Sequence, residues 1–303
     1  MFENVENTTY KQVLLLGLLI LVGLLVFAAG GMAIASLFWS PEDISAASSY
    51  ILNTNSQINY MKLLQFLTMF STFFFPAVAL NYLAKSKNFS FLYLNHGIDT
   101  QKAIMIIAIL IISMPIISGL MEWNSTLHLP TYLSETEEWV RAKEAQLTGI
   151  TETFMLTTSL GGLLINLFVM AVLPAFGEEF IFRGILIKWF SKSMNIHLAI
   201  FISAFLFSAI HIQFLGFFAR FFLGMIFGYI FYWSGSLWAP ILLHFLNNAM
   251  NVVAYYLVGV GSLQDDPATM GTINSTPILM MNILMLIGVL YWFYRNRKVG
   301  FQL

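Results

Sequence analysis

Four side chains capable of acid–base chemistry or hydrogen bonding stand inside apolar stretches of this chain: Glu178, His211, His244 and Asn248. Glu178 belongs to PAFGEEFIFRG, residues 174–184, where two adjacent glutamates and an arginine interrupt a hydrophobic segment. An ionisable group at the centre of a bilayer costs ~2.5–3.5 kcal/mol on insertion scales, so each one requires a partner, a wet cavity or a chemical task. Neighbours on a helix point ~100° apart, so Glu178 and Glu179 cannot share a face. Glu179 and Arg183 are spaced i, i+4 with the acid first, the favourable order for a pair. The expectation is a division of labour. Glu179 and Arg183 neutralise each other and brace the helix, after Pro174 and Gly177 have bent or loosened it, while Glu178 faces a cavity as acid, base or ligand. Three charges merely marking the membrane surface would suit Arg183, but not two short-stemmed acids.

The segment AIFISAFLFSAIHIQF carries His211, with Phe207 one turn earlier on the same helical face. In APILLHFLNNAMN, His244 and Asn248 are again i, i+4, with Asn251 one turn further on. Singly, such a histidine reads as a packing residue and such an asparagine as glue between helices. Three helices each offering polar groups argue instead for one shared site. At ~1.5 Å of rise per residue, Glu178, His211 and His244 lie ~18, ~21 and ~10 Å from the cytoplasmic ends of their helices. They can therefore meet in a cavity, and the depths point to one open toward the cytoplasm.

A carboxylate, two imidazoles and an amide, in a chain with no cysteine, point to activation of water. Glu178 with His211 would hold and deprotonate it, and His244 with Asn248 would donate hydrogen bonds to the oxyanion formed when a carbonyl is attacked. The same Glu178, His211 and His244 also make a zinc-type ligand set with an open position. The cofactor is thus either none or a divalent metal such as zinc; the absence of HExxH spacing favours metal-free activation. Ser203 and Ser208 lie near His211, but small hydroxyls are common in transmembrane packing.

The elements that must position these groups are membrane helices. Of 303 residues, 58% are hydrophobic and 10% charged, against ~25% charged in soluble domains, and the mean hydropathy is +0.78. Lipid bilayer is the expected partner, with a peptide or protein substrate; the 14 Lys and Arg form no stripe suited to nucleic acid. Apolar runs near 13–38, 62–84, 103–120, 156–176, 197–214, 217–234, 237–258 and 278–294 predict an all-α polytopic membrane protein. About eight transmembrane helices would enclose a polar cavity within a single membrane domain, 1–303. The first run ends in Ala33-Ile34-Ala35 but is too long for the ~7–15-residue core of a signal peptide.

Lys85, Lys87 and Lys102, then Arg183, Lys188 and Lys192, then Arg295, Arg297 and Lys298 mark cytoplasmic connections. Glu42, Asp43, Glu135, Glu137, Glu138, Asp265 and Asp266 fall in the opposite loops. Both termini would then be cytoplasmic in a cell membrane, read as a prokaryotic inner membrane. The 121–155 stretch reads as a solvated external loop in which Thr136 caps a short amphipathic helix bearing Trp139. Gly224 and Gly228 have small-xxx-small spacing, which serves packing within one chain at least as well as dimerisation, so the oligomeric state stays open.

The ordered trio EExxxR (Glu178, Glu179, Arg183), FxxxH (Phe207, His211) and HxxxN (His244, Asn248) resembles the CPBP family. These are the CAAX proteases and bacteriocin-processing enzymes, also called Abi, and they include the type II CAAX prenyl endopeptidases. The resemblance covers residues 156–258. It implies an intramembrane endopeptidase with an eight-helix core, catalysis by Glu178 with His211, and oxyanion stabilisation by His244 and Asn248, by a glutamate- or metal-dependent route. It leaves the substrate open, whether a prenylated C-terminus or, as bacterial relatives suggest, a bacteriocin or a self-immunity function. The reading of a different class is a non-catalytic immunity factor, chaperone or transporter that uses the same polar cluster for binding.

Overall fold

The computed structural model describes residues 9–84, 87–264, 266–272 and 275–297. Lys85, Asp265 and Lys298, which entered the orientation argument, lie outside these residues, as does the side chain of Lys87. The described residues form helices and no strand, so the fold is all-α. Among the described residues, seven helices are long and apolar enough to cross a membrane: α1 (Lys11–Ala35), α3 (Asn55–Leu83), α4 (Thr100–Ser125), α6 (Leu160–Ser191), α8 (Phe217–Ser234), α9 (Trp238–Gly259) and α10 (Thr276–Arg295). Between them lie α2 (Pro41–Ser48), α5 (Ser134–Met155) and α7 (Ile196–Ala209).

α7 is the departure from eight full spans. Its 14 residues rise ~21 Å, short of a ~30 Å hydrocarbon core. Apolar residues continue to Phe214, but the chain turns at His211 and Ile212, where Ile212 takes φ 51°. Hydropathy cannot register this ending, because tertiary hydrogen bonds make it. Ser208 donates to the carbonyl of Phe217 at 2.6 Å, and the turn is gripped from α5 as described below.

The 121–155 stretch is mostly helical. α5 runs for 22 residues and has no side-chain cap, and Thr136 lies in its first turn rather than at its start. Glu137 secures that end instead. It accepts the Leu129 N–H at 2.8 Å and pairs with His128 at 2.7 Å and Arg141 at 2.8 Å. Arg141 foremost, with His128, holds its carboxyl at about 2, below the usual carboxylate range.

α6 is continuous yet not uniform. Wider π turns at Phe168–Val172 and Phe180–Ile187 bracket the regular segment Leu173–Glu179. Pro174 has no N–H to give, and the widened turn before it accommodates that loss. Gly177 allows α3 to close on α6: a Cβ there would stand 2.9 Å from Phe73 Cβ. Gly224 and Gly228 do the same for α7 against α8, where a Cβ would meet Ala204 Cβ at 3.0 Å and Ile200 Cγ2 at 2.6 Å. The small-residue stripe is occupied by the chain's own α7.

Candidate active site

Arg183 and Glu179 form the expected brace, both side chains fully buried, with Nη1 donating to Oε1 at 2.7 Å. Nη2 donates to the Gly224 carbonyl at 3.1 Å, so the guanidinium also ties α6 to α8. It lies over two rings, Phe207 at 4.5 Å and Phe227 at 5.0 Å from the centroid, a favourable setting for a desolvated cation. Arg183 therefore contributes nothing to the positive membrane surface at which it was counted with Lys188 and Lys192.

The brace is not closed on itself. Glu179 Oε1 also receives Nδ1 of His244 at 2.7 Å, while Oε2 has no hydrogen-bond partner among the described residues. Since Nδ1 donates to a carboxylate, Nε2 is the nitrogen left for chemistry, and it stands 3.9 Å from Glu178 Oε2. Phe227 stacks on the imidazole at 5.2 Å and 23°. His244 thus bridges two acids that point to different faces of α6, a coupling the spacing of Glu178 and Glu179 did not reveal.

His211 sits in the turn after α7 rather than on the helix. Its Nδ1 donates to the Phe207 carbonyl at 2.8 Å, again leaving Nε2 available. The Phe207 ring lies 5.3 Å from His211 and 5.9 Å from His244, so this one side chain packs against both histidines and Arg183. Ser203 donates to the Phe182 carbonyl at 2.8 Å and Ser208 to that of Phe217, so both hydroxyls serve packing.

Glu178, His211, His244 and Asn248 line one cavity of about 350 Å³. Glu178 makes no hydrogen bond among the described residues and lines the cavity. Asn248 Oδ1 accepts from Asn247 Nδ2 at 3.2 Å, which frees its own amide N–H groups. Three polar lining residues escaped the motif reading: Gln65, Asn247 and Arg220. Arg220 was legible as a cation inside FFARFFLG. It donates to the Gln213 side chain at 2.9 Å and carbonyl at 2.6 Å, and its Nε has no hydrogen-bond partner among the described residues. Phe227, whose ring supports His244 and Arg183, carried no signal beyond apolarity.

The trio once considered as metal ligands shares this cavity. Among the described residues, no three His, Asp or Glu are gathered closely enough to cage an ion. Each histidine has its Nδ1 fixed by an oxygen, which orients an imidazole equally for a metal or for water.

A second cavity of about 400 Å³ shares Arg220 and Asn248 with the first and is lined further by Thr148, Thr151 and Glu152 of α5 and Met121 at the end of α4. This places the polar site below the end of the bundle that α5 covers.

Residues 160–250 match the family model of Type II CAAX prenyl endopeptidase Rce1-like proteins. The matched segment spans α6 to α9 and contains every residue of the three motifs. Over it the chain is similar to a family of CAAX-type proteases, in agreement with the resemblance drawn from the motifs. No curated protein and no solved structure matches the chain.

Proposed function

We propose that the chain is an intramembrane endopeptidase that hydrolyses a peptide bond of a membrane-associated protein or peptide by activating water. One observation carries the reading: Glu178, His211, His244 and Asn248, contributed by two spans and a turn, line a single cavity. In this reading Glu178 and His211 Nε2 hold the water, and Glu178 takes its proton as the hydroxyl attacks the carbonyl carbon. Asn248 Nδ2 donates to the developing oxyanion. For His244 Nε2 to donate as well, the ring must carry both protons, and in that form it faces a carboxylate at each nitrogen. Glu178 then returns its proton to the leaving amine. Glu179, Arg183 and Phe207 keep the two imidazoles in register.

The second cavity, which shares Arg220 and Asn248 with the Glu178 cavity, lies toward the end of the bundle that the Lys and Arg pattern assigns to the exterior. A cytoplasmic mouth and cytoplasmic termini therefore stand against each other. Because the chain has no cysteine, labelling of Thr148→Cys by an impermeant maleimide in intact cells or spheroplasts decides between them.

The function itself is tested by purified protein in lipid vesicles against internally quenched peptides. Wild type is expected to cut, and Glu178→Gln and His211→Ala to lose cleavage while remaining folded and inserted; retained cleavage refutes the assignment. Elemental analysis of the active preparation separates the metal-free from the metal-assisted form. A cellular immunity or transport effect that survives Glu178→Gln, with no peptide cut, would instead support the non-catalytic reading.

A further inference from the structure

We infer that Glu144 of α5 is a positioning residue for His211, and that α5 is a latch whose seating over the cavity and whose hold on the catalytic turn are one event. The inference rests on the peptidase reading for what His211 does, but not for the latch itself.

α5 lies outside the spans and carries charges along its length, yet Glu144 is buried, with 5% of its surface exposed. Its carboxylate accepts the backbone N–H of Phe214 and, at 3.0 Å, that of Leu215. These amides follow His211 by three and four residues, in the turn where Ile212 takes φ 51°. A β-branched residue rarely adopts that conformation, so the local sequence does not favour the turn and contacts from elsewhere must maintain it. Without Glu144, two turn amides would lose their acceptor in a region where unsatisfied backbone is costly.

Three other contacts hold the same turn. Arg220 of α8 clasps Gln213. Ser208 of α7 bonds the Phe217 carbonyl. Asn124 of α4 accepts the Phe218 N–H at 3.1 Å. All three come from the bundle of apolar helices. Glu144 alone of this set comes from a helix outside that apolar bundle. The last turns of α5 supply Thr148, Thr151, Glu152 and Met155 to the wall of a cavity that shares Arg220 and Asn248 with the Glu178 site. Lifting α5 would open that wall and withdraw the carboxylate together, so the cover over the cavity and one of the holds on the His211 turn are released in one movement. α5 lies wholly outside the matched segment 160–250, so the latch is not contained in the three motifs.

The test uses the full chain in lipid nanodiscs with Glu144→Ala and Glu144→Gln. Hydrogen–deuterium exchange should quicken at residues 211–216 in Glu144→Ala and be largely restored in Glu144→Gln, whose amide oxygen still accepts. With an internally quenched peptide that wild type cuts, Glu144→Ala should lower kcat ~10- to 100-fold, the scale of a misplaced catalytic group, with KM changed far less and Gln recovering most of the rate. A Thr148→Cys, Asn251→Cys protein joined by a disulfide-containing bis-maleimide should stop cutting and resume on reduction. Unchanged exchange at 211–216 in Glu144→Ala overturns the latch. A rate loss that only tracks the loss of folded protein overturns the positioning role. If wild type cuts no peptide, the exchange measurement still decides the latch, and the failure belongs to the peptidase reading.

Discussion

The outer spans α1 and α10 and the central span α8 use apolar residues in opposite ways. Only 11% of the apolar window of α1 or α10 is buried within the protein, against 50% for α8, although α8 is the least apolar of the three. An outer span leaves most of its side chains to lipid, which solvates them as well as protein would. It meets its neighbours at few points, such as Gln12 of α1, which accepts from Trp189 at 2.7 Å. A central span must satisfy its neighbours geometrically. α8 does so with Gly224 and Gly228 against α7, with a carbonyl given to Arg183, and with Phe227 laid on His244. Apolarity alone places a helix in the membrane; rings and paired charges place it in the middle of the bundle. The difference can be broken or sharpened by substitution.

The largest effect is expected at Arg183→Ala, which leaves Glu179 buried without its guanidinium. Removing one partner of a buried pair costs ~3–5 kcal/mol, and thermal unfolding in detergent should show a correspondingly large drop; a loss near zero would mean that the brace is dispensable. Gly177→Val comes next, since its Cβ would meet Phe73 at 2.9 Å and overpacking costs ~1–3 kcal/mol. The quenched-peptide assay should also find its cleavage impaired, because α3 and α6 line the cavity. Phe227→Leu should follow at ~0.5–1.5 kcal/mol, the value of an aromatic contact beyond its area, with a larger effect on cleavage than on the melting temperature. Leu284→Ala on α10, 68% exposed in the structure, should change stability by no more than ~0.5 kcal/mol. If it rivals Gly177→Val, the outer spans are not the passive elements described.

Much of the site was legible because charge is conspicuous in an apolar chain. Glu178, Glu179, Arg183, His211, His244 and Asn248 stand out by type, and helical spacing sorted Glu179 with Arg183 correctly. The same logic applied to Arg220 would have found it. Spacing along one helix could not show that His244, 65 residues away, places its two ring nitrogens toward both glutamates. It also could not show that α7 stops at Ala209, because the groups that end it lie on α4, α5 and α8. α5 itself was read as a solvated connector, since a charged amphipathic pattern records which residues prefer water and not where its one buried acid is spent.

The sequence by itself determined that this chain is a set of membrane helices with a few polar residues too costly to leave in lipid, and which residues those are. That follows from transfer free energies, which depend on residue type and local run length. Only the tertiary structure decided that Glu178, His211, His244 and Asn248 share one cavity, that two acids meet through one imidazole, and that a buried carboxylate from outside the spans holds the turn carrying His211. Those outcomes depend on directions and distances between helices far apart in the chain, where hydrogen bonds act over ~3 Å and no local pattern specifies them.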